Sequence, residues 1–322
     1  MTIRILTQAP ESDLATALEE FERQFTYPLG SGLSFRISHG PDYPRFFRAI
    51  AGDSSASFVA IGGNGEVRGT LGVAVRPLQF PDGTRKLAAY LGDLKTAPGS
   101  ARGRTLLRLS SAAAAWSIER GAVVGYGVVM EGTPHAPSDY TGRFGLHEFH
   151  AIQRVCILRI PVDTSRPDYD GSFDAEASSV EECLLKLGSG TFTPIGGEPG
   201  LRSAYRPNYL LLPDRLACGM VEDTARAKRL FQENGEEMLA SHLSMFAYAH
   251  PSAGARIIRQ ALARYACRDL VPAIFVAIPH RDLNSFRQLL ADRPGMIEAP
   301  AAIYGTGFNG AAENWKINTS EI

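Results

Sequence analysis

At 322 residues the chain exceeds what one hydrophobic core usually organises, which predicts two domains of roughly 150 residues each. An apolar content of 44% with 21% charged residues excludes intrinsic disorder, and Lys+Arg 33 against Asp+Glu 34 leaves a formal charge of −1, too small for a global field that would attract nucleic acid or an anionic membrane. Met1 to Gln8 lacks a signal-peptide pattern, and no stretch reaches the ~18 uninterrupted apolar residues of a membrane span, so a cytoplasmic location without membrane contact is expected.

Thr2 to Leu6 alternates like a strand, and Glu11-Ser12-Asp13 opens a helix over Leu14 to Phe25 with a capped start. Ser57 to Ile61 and Arg68 to Pro77 read as an antiparallel pair, because Gly62-Gly63-Asn64-Gly65 supplies the positive φ angles of a hairpin. A second turn, Phe80-Pro81-Asp82-Gly83, leads into a strand over Lys86 to Thr96. After Pro98-Gly99-Ser100, the Ala- and Leu-rich run Thr105 to Arg120 predicts a helix stopped by Gly121, with Trp116 as a core anchor. Ala122 to Met130 is almost continuously apolar, the mark of a strand covered on both faces, and its helical connection predicts a parallel neighbour. A last strand over Ile152 to Ile160 closes the unit, and Pro161 to Gly171 reads as a linker.

The second half opens with a helix around Val180 to Leu187 and strands at Tyr209 to Leu212 and Arg215 to Glu222. A strand over Met238 to Ala249 runs into a helix at Ala255 to Ala266, where Ile257, Ile258, Ala261, Leu262 and Tyr265 form one stripe. A strand at Ala273 to Ile278, a short helix capped by Asp282 and running through Leu290, and a strand at Ala301 to Tyr304 follow. Strand, helix, strand, helix, strand thus occurs twice, which points to a duplication at the level of fold. Cys156, Cys183, Cys218 and Cys267 contain no CxxC pair and no His at ligand spacing, so all four are expected to be structural thiols and no metal is expected.

The chemistry concentrates in Leu91-Gly92-Asp93-Leu94-Lys95-Thr96-Ala97-Pro98, followed by Arg102-Gly103-Arg104-Thr105-Leu106-Leu107 at the start of a helix. Unpaired N–H groups and the positive end of the dipole attract phosphate at such a terminus, and Arg102, Arg104 and Arg108 add pairing groups. This phrase resembles motif A of the GNAT superfamily of N-acyltransferases, although Thr105 and Leu107 stand where the family's R-x-x-G-x-G/A loop has small residues. The resemblance covers about residues 1 to 160. It implies an α/β (mixed α+β) fold of two tandem GNAT-like domains, 1–162 and a degenerate 172–322, each a mixed, mostly antiparallel sheet flanked by helices.

It further implies an acyl-CoA cosubstrate, acetyl-CoA or another acyl-CoA. Its pyrophosphate would lie on Arg102, Gly103, Arg104, Thr105, Leu106 and Leu107, and its pantetheine arm would pair with Leu94 and Thr96. The acceptor would be an amine on a small molecule or peptide, with no nucleic acid; a homodimer is compatible with this reading. For the general base the resemblance points to Asp93, which on a strand could equally face solvent, while Glu131, at the carboxyl end of the strand over Val123 to Met130, could point into the same opening or equally cap a turn. For the acid it points to Tyr140, in Asp139-Tyr140-Thr141-Gly142-Arg143-Phe144-Gly145, where Thr141 is the alternative register. His135, His147 and His150 crowd the same segment. Two other readings stay open: a catalytically silent acyl-CoA-binding module, and an acyltransferase that uses a long-chain donor.

Overall fold

The computed structural model describes residues 1–30, 32–98, 103–140, 146–163, 173–266, 272–308 and 314–322. Its first half runs β1 (Thr2–Leu6), α1 (Ser12–Glu22), β2 (Tyr27–Gly30), β3 (Leu33–Ser38), α2 (Arg45–Ala51), β4 (Ser55–Ile61), β5 (Val67–Gln79), β6 (Arg85–Thr96), α3 (Arg104–Glu119), β7 (Val124–Met130) and β8 (His150–Pro161). The second half runs α4 (Ala177–Leu187), β9 (Thr193–Pro194), α5 (Pro199–Arg202), β10 (Asn208–Leu211), β11 (Ala217–Glu222), β12 (Arg229–Gln232), β13 (Ser241–Tyr248), α6 (Pro251–Ala266), β14 (Ala273–Pro279), α7 (Leu283–Leu289) and β15 (Ile297–Thr306).

One sheet carries both halves in the order β1-β4-β5-β6-β7-β15-β8-β14-β13-β11-β10, with β9 against β5, and a small sheet β12-β3-β2 stands beside it. Most pairings are antiparallel, and the two parallel ones, β6 with β7 and β13 with β14, are those joined through α3 and α6. The expected fold class is therefore present. The last strands interleave: β15 lies between β7 and β8, pairing Ala301 with Met130 on one side and with Val155 on the other.

The hairpin turns form where the glycines predict, with Gly65 at φ 88° and Gly83 at φ 82°, and Gly121 at φ 81° follows the end of α3. Trp116 is buried, edge-on to Phe58 at 6.0 Å between centroids. Cys156, Cys183 and Cys218 are buried free thiols, and burial pushes Cys156 up to about 12, while Cys267 lies outside the described residues.

Several local expectations need correction. Neither α1 nor α7 has a side-chain cap; Ser12 bonds Asp13 instead, and the Asp282 carboxylate accepts from Tyr248 Oη at 2.7 Å. The α1 helix stops at Glu22, not Phe25, where the Glu22 carboxylate turns inward to bond His39. Strands β2, β3 and β12 and helix α2 had no counterpart in the sequence reading. They are short pieces broken by Pro and Gly, stabilised by packing Leu29, Phe35, Phe46, Phe47 and Leu230 into the main core.

Candidate functional site

Strands β6 and β7 pair over only three residues, Ala88 to Tyr90 against Val124 to Tyr126, and then part. Gly127 stands at the parting, where a methyl group would lie 2.6 Å from the Leu91 carbonyl oxygen, so its lack of a side chain lets the strands diverge gradually. The gap opens into a cavity of about 740 Å³ that runs along α3 from Leu106 to Ile118 and continues beneath the small sheet. Its walls are mostly apolar: Leu71, Ala113 and Val124 on the α3 side, Leu29, Phe35 and Leu230 on the other.

At the parting, β6 carries a bulge. Thr70 faces Lys95 and Gly72 faces Gly92, so Asp93 and Leu94 together oppose Leu71. Asp93 adopts φ 57°, the left-handed region that residues other than Gly enter at a cost of ~1–3 kcal/mol. The Asp93 carbonyl and carboxylate have partners that fix this shape. Its carbonyl accepts from Thr70 Oγ1 at 3.0 Å, and its two carboxylate oxygens accept from Tyr43 Oη and Lys95 Nζ.

Lys95 Nζ also donates to Glu22 Oε1 at 2.9 Å, and Glu22 is held by the His39 ring at 2.7 Å and the His39 backbone N–H at 2.9 Å. Burial opposes ionisation of Glu22, but His39 and Lys95 outweigh it and hold the carboxyl down to about 2. Burial likewise opposes the Lys95 charge, yet Asp93 and the groups around it push that amine well above its ordinary range. Among the described residues, Glu22, His39 and Asp93 place ligand atoms within 4.8 Å of one another, but the Lys95 ammonium already bonds two of them and supplies the cation.

Beneath the small sheet the cavity floor includes Lys228 and His242. Lys228 donates to the main-chain oxygen of Ile322 and sits 4.8 Å over the Phe46 ring. Burial, reinforced by Arg202, lowers its amine from 10.5 to about 7 despite the opposing pull of Asp93, Glu321 and Glu222. His242 is driven well below its ordinary range by burial, then by Lys228 and Arg202. The Thr319 hydroxyl donates to the Phe275 carbonyl at 3.2 Å, so neutral His242 donates from Nδ1 to Thr319 Oγ1 at 3.1 Å and leaves Nε2 unprotonated.

The residues expected from sequence are distributed as follows. Asp93, Leu94, Leu106 and Tyr140 line the cavity together, as do His135 and His147. Thr96 pairs with Gly69 on β5, outside the lining. Gly103 caps α3 at φ 85°, Arg104 is the exposed first helical residue, Thr105 is buried and Leu107 half-buried, while Arg102 lies outside the described residues, as does Thr141. Arg108 donates to the Met1 carbonyl oxygen at 2.5 Å. Glu131 is outside the lining and forms a two-pronged pair with Arg154, at 2.9 and 3.2 Å. His150 begins β8 at the surface, 3.5 Å from Glu148.

Sequence reasoning missed Glu22, His39, Tyr43, Lys228 and His242. For Lys95 a signal existed, since Asp93 and Lys95 are opposite charges two apart on a strand and so share a face. For the others no signal existed before the topology was known.

No protein-family model and no curated protein matches the sequence. Among solved structures the chain is similar to Saccharomyces cerevisiae N-myristoyltransferase with bound myristoyl-CoA, at TM-score 0.62 and 8% identity over 98% of this chain and 85% of that one. A second structure of the yeast enzyme with bound myristoyl-CoA gives TM-score 0.59 at 7% identity, covering 97% and 80%. A GCN5-related N-acetyltransferase from Anabaena variabilis gives TM-score 0.50 at 12% identity, covering 94% and 72%. At these identities the likeness establishes the fold: the chain has the GNAT fold in the arrangement of two tandem halves seen in N-myristoyltransferase.

Proposed function

We propose that the protein is an acyl-CoA-dependent N-acyltransferase that passes a long-chain acyl group directly to an amine of a small molecule or peptide. The observation that carries this reading is the parting of β6 from β7 into the cavity beside the N-terminus of α3. A thioester laid between the strands would have its acyl chain in the apolar chamber and its pyrophosphate near Gly103 to Leu107, where the unpaired N–H groups and Arg104 meet it. An acetyl group needs only a fraction of about 740 Å³, so the size and apolar walls favour a longer chain, in keeping with the myristoyl-CoA named in the yeast complexes.

In the reaction the amine nitrogen attacks the thioester carbonyl, the C–N bond forms, and the C–S bond breaks to release CoA thiolate. Lys228, whose amine is held at about 7, takes the proton from the acceptor nitrogen, and Tyr140 supplies one to the leaving sulfur. Asp93 lines the same cavity but already accepts from Tyr43 and Lys95, so its part is played through the backbone it shapes. Because Lys228 is half neutral near pH ~7, the ascending limb of the rate profile should lie there.

The test is a thiol-release assay with acetyl-, octanoyl- and myristoyl-CoA over a panel of amines, alongside calorimetry with CoA. Release that rises with chain length supports the proposal. Binding without release from any donor would leave only a CoA-binding module, and neither binding nor release would overturn the reading of the site.

A further inference from the structure

The β6 bulge is held by a buried charge cluster whose cost needs a reason. Lys95, Glu22, Tyr43 and His39 are each at most 5% exposed, and ions withdrawn from water in this way are often no better for stability than apolar residues of the same volume. Strained backbone persists where its surroundings over-determine it, and it collects at functional sites. Here the surroundings converge on one residue: Thr70 fixes the Asp93 carbonyl, Tyr43 and Lys95 its carboxylate, while Glu22 and His39 fix Lys95 in turn. The segment they shape, Leu91 to Leu94, borders the cavity just where β6 has lost its β7 partner.

We infer that Lys95 is a positioning residue for acyl transfer: clamped between Glu22 and Asp93, it holds the left-handed bulge so that the β6 backbone between Leu91 and Leu94 is preset to receive the thioester carbonyl. This rests on the acyltransferase reading. The physical reason is preorganisation. Backbone dipoles stabilise charge developing on a carbonyl oxygen only if they stand in place before the reaction, and a bulge free to relax into regular β pairing would have to be reordered in each turnover. The ammonium acts through Asp93 and does not itself touch the substrate.

The experiment compares Lys95→Met and Glu22→Gln with the unaltered chain and with Ile257→Val, a buried change in α6, outside the cavity lining, that controls for lost stability. Three readouts are taken on folded protein: kcat and KM for thiol release, CoA affinity by calorimetry, and amide hydrogen exchange of the segment from Leu91 to Thr96. The expected result is a kcat lowered about 100-fold in Lys95→Met and less in Glu22→Gln, the scale of losing an oxyanion donor, with KM and CoA affinity within about threefold. Exchange in that segment should rise at least tenfold while α3 keeps its protection, and Ile257→Val should change none of these readouts.

A kcat in Lys95→Met equal to that of Ile257→Val, or unchanged exchange in the bulge, overturns the inference. If Lys95→Met does not fold, Glu22→Gln carries the same comparison, since it keeps the side-chain shape and removes only the charge. If the unaltered chain neither binds CoA nor releases thiol, the acyltransferase reading fails. The exchange data then decide alone whether Lys95 holds the bulge.

Discussion

Lys228→Met should make the protein more stable and inactive. Holding the amine at about 7 against its ordinary 10.5 costs the fold roughly 4–5 kcal/mol wherever the group must carry its proton, at about 1.4 kcal/mol per tenfold in proton affinity. The unfolded chain binds this proton more tightly, so the penalty is complete below pH about 7, shrinks as pH rises, and vanishes above 10.5. Methionine removes the penalty and fills a similar volume, but leaves the Ile322 main-chain oxygen without its donor, a loss of about 1–3 kcal/mol. The net expectation is a gain of about 1–4 kcal/mol near pH ~6 that turns into a loss of at most about 2 kcal/mol near pH ~10, where about 1 kcal/mol of the penalty remains. Urea denaturation at the two pH values measures it, and a thiol-release assay should show a fall of about 100-fold or more together with loss of the ascending limb near neutral pH. Equal destabilisation at both pH values would refute the assignment of a depressed amine. Retained activity would refute the role of Lys228 as base.

Gly127→Ala sets a methyl group against the Leu91 carbonyl, so acyl-CoA affinity should fall at least tenfold by calorimetry, and unchanged affinity would mean that the donor does not enter between β6 and β7. Arg104→Glu reverses a charge at the exposed start of α3; CoA binding should weaken about tenfold or more with little change in melting temperature, and undiminished binding would move the pyrophosphate elsewhere. Tyr140→Phe keeps the ring and removes the acid, so thiol release should slow while CoA affinity stays constant, and an unaltered rate would send the search for the acid to other groups in the cavity.

The part of the fold that binds the donor in this reading was legible because its signals are local. Strand-like runs mark β4 to β6, Gly65 and Gly83 mark their turns, and an Ala-rich run ended by Gly121 marks α3. What escaped depends on partners far away in sequence. Tyr27-Pro28-Leu29-Gly30 has no strand signature, and β2 forms through pairing with β3, which itself pairs with β12 about 190 residues on. Glu22 looks like an ordinary acidic residue on a helix end, and its burial is visible only once His39 and Lys95 close over it. The strand expected at Ala301 to Tyr304 begins earlier, at Ile297, because Pro300 halts a reading by propensity but here sits opposite Cys156 while its carbonyl accepts from the Glu131 N–H at 2.8 Å.

The two halves treat the same place in the fold differently. Met245 in β13 repeats the left-handed conformation of Asp93, at φ 50° against 57°, and the parallel pairing of β13 with β14 is as brief as that of β6 with β7. In the second half, however, the gap is taken by the chain itself. The Met245 N–H donates to Asn318 Oδ1 at 2.8 Å, Ser244 bonds Ser320 at 2.8 Å, and Thr319 bridges His242 and the Phe275 carbonyl. Its strand edges are thus satisfied from within at that place, and the second half lends His242, Phe275 and Thr319 to the wall of the first half's cavity. Two copies of one fold thus divide the work, one holding its strands apart around a bulge fixed by Lys95 and the other closing its own gap to complete the chamber.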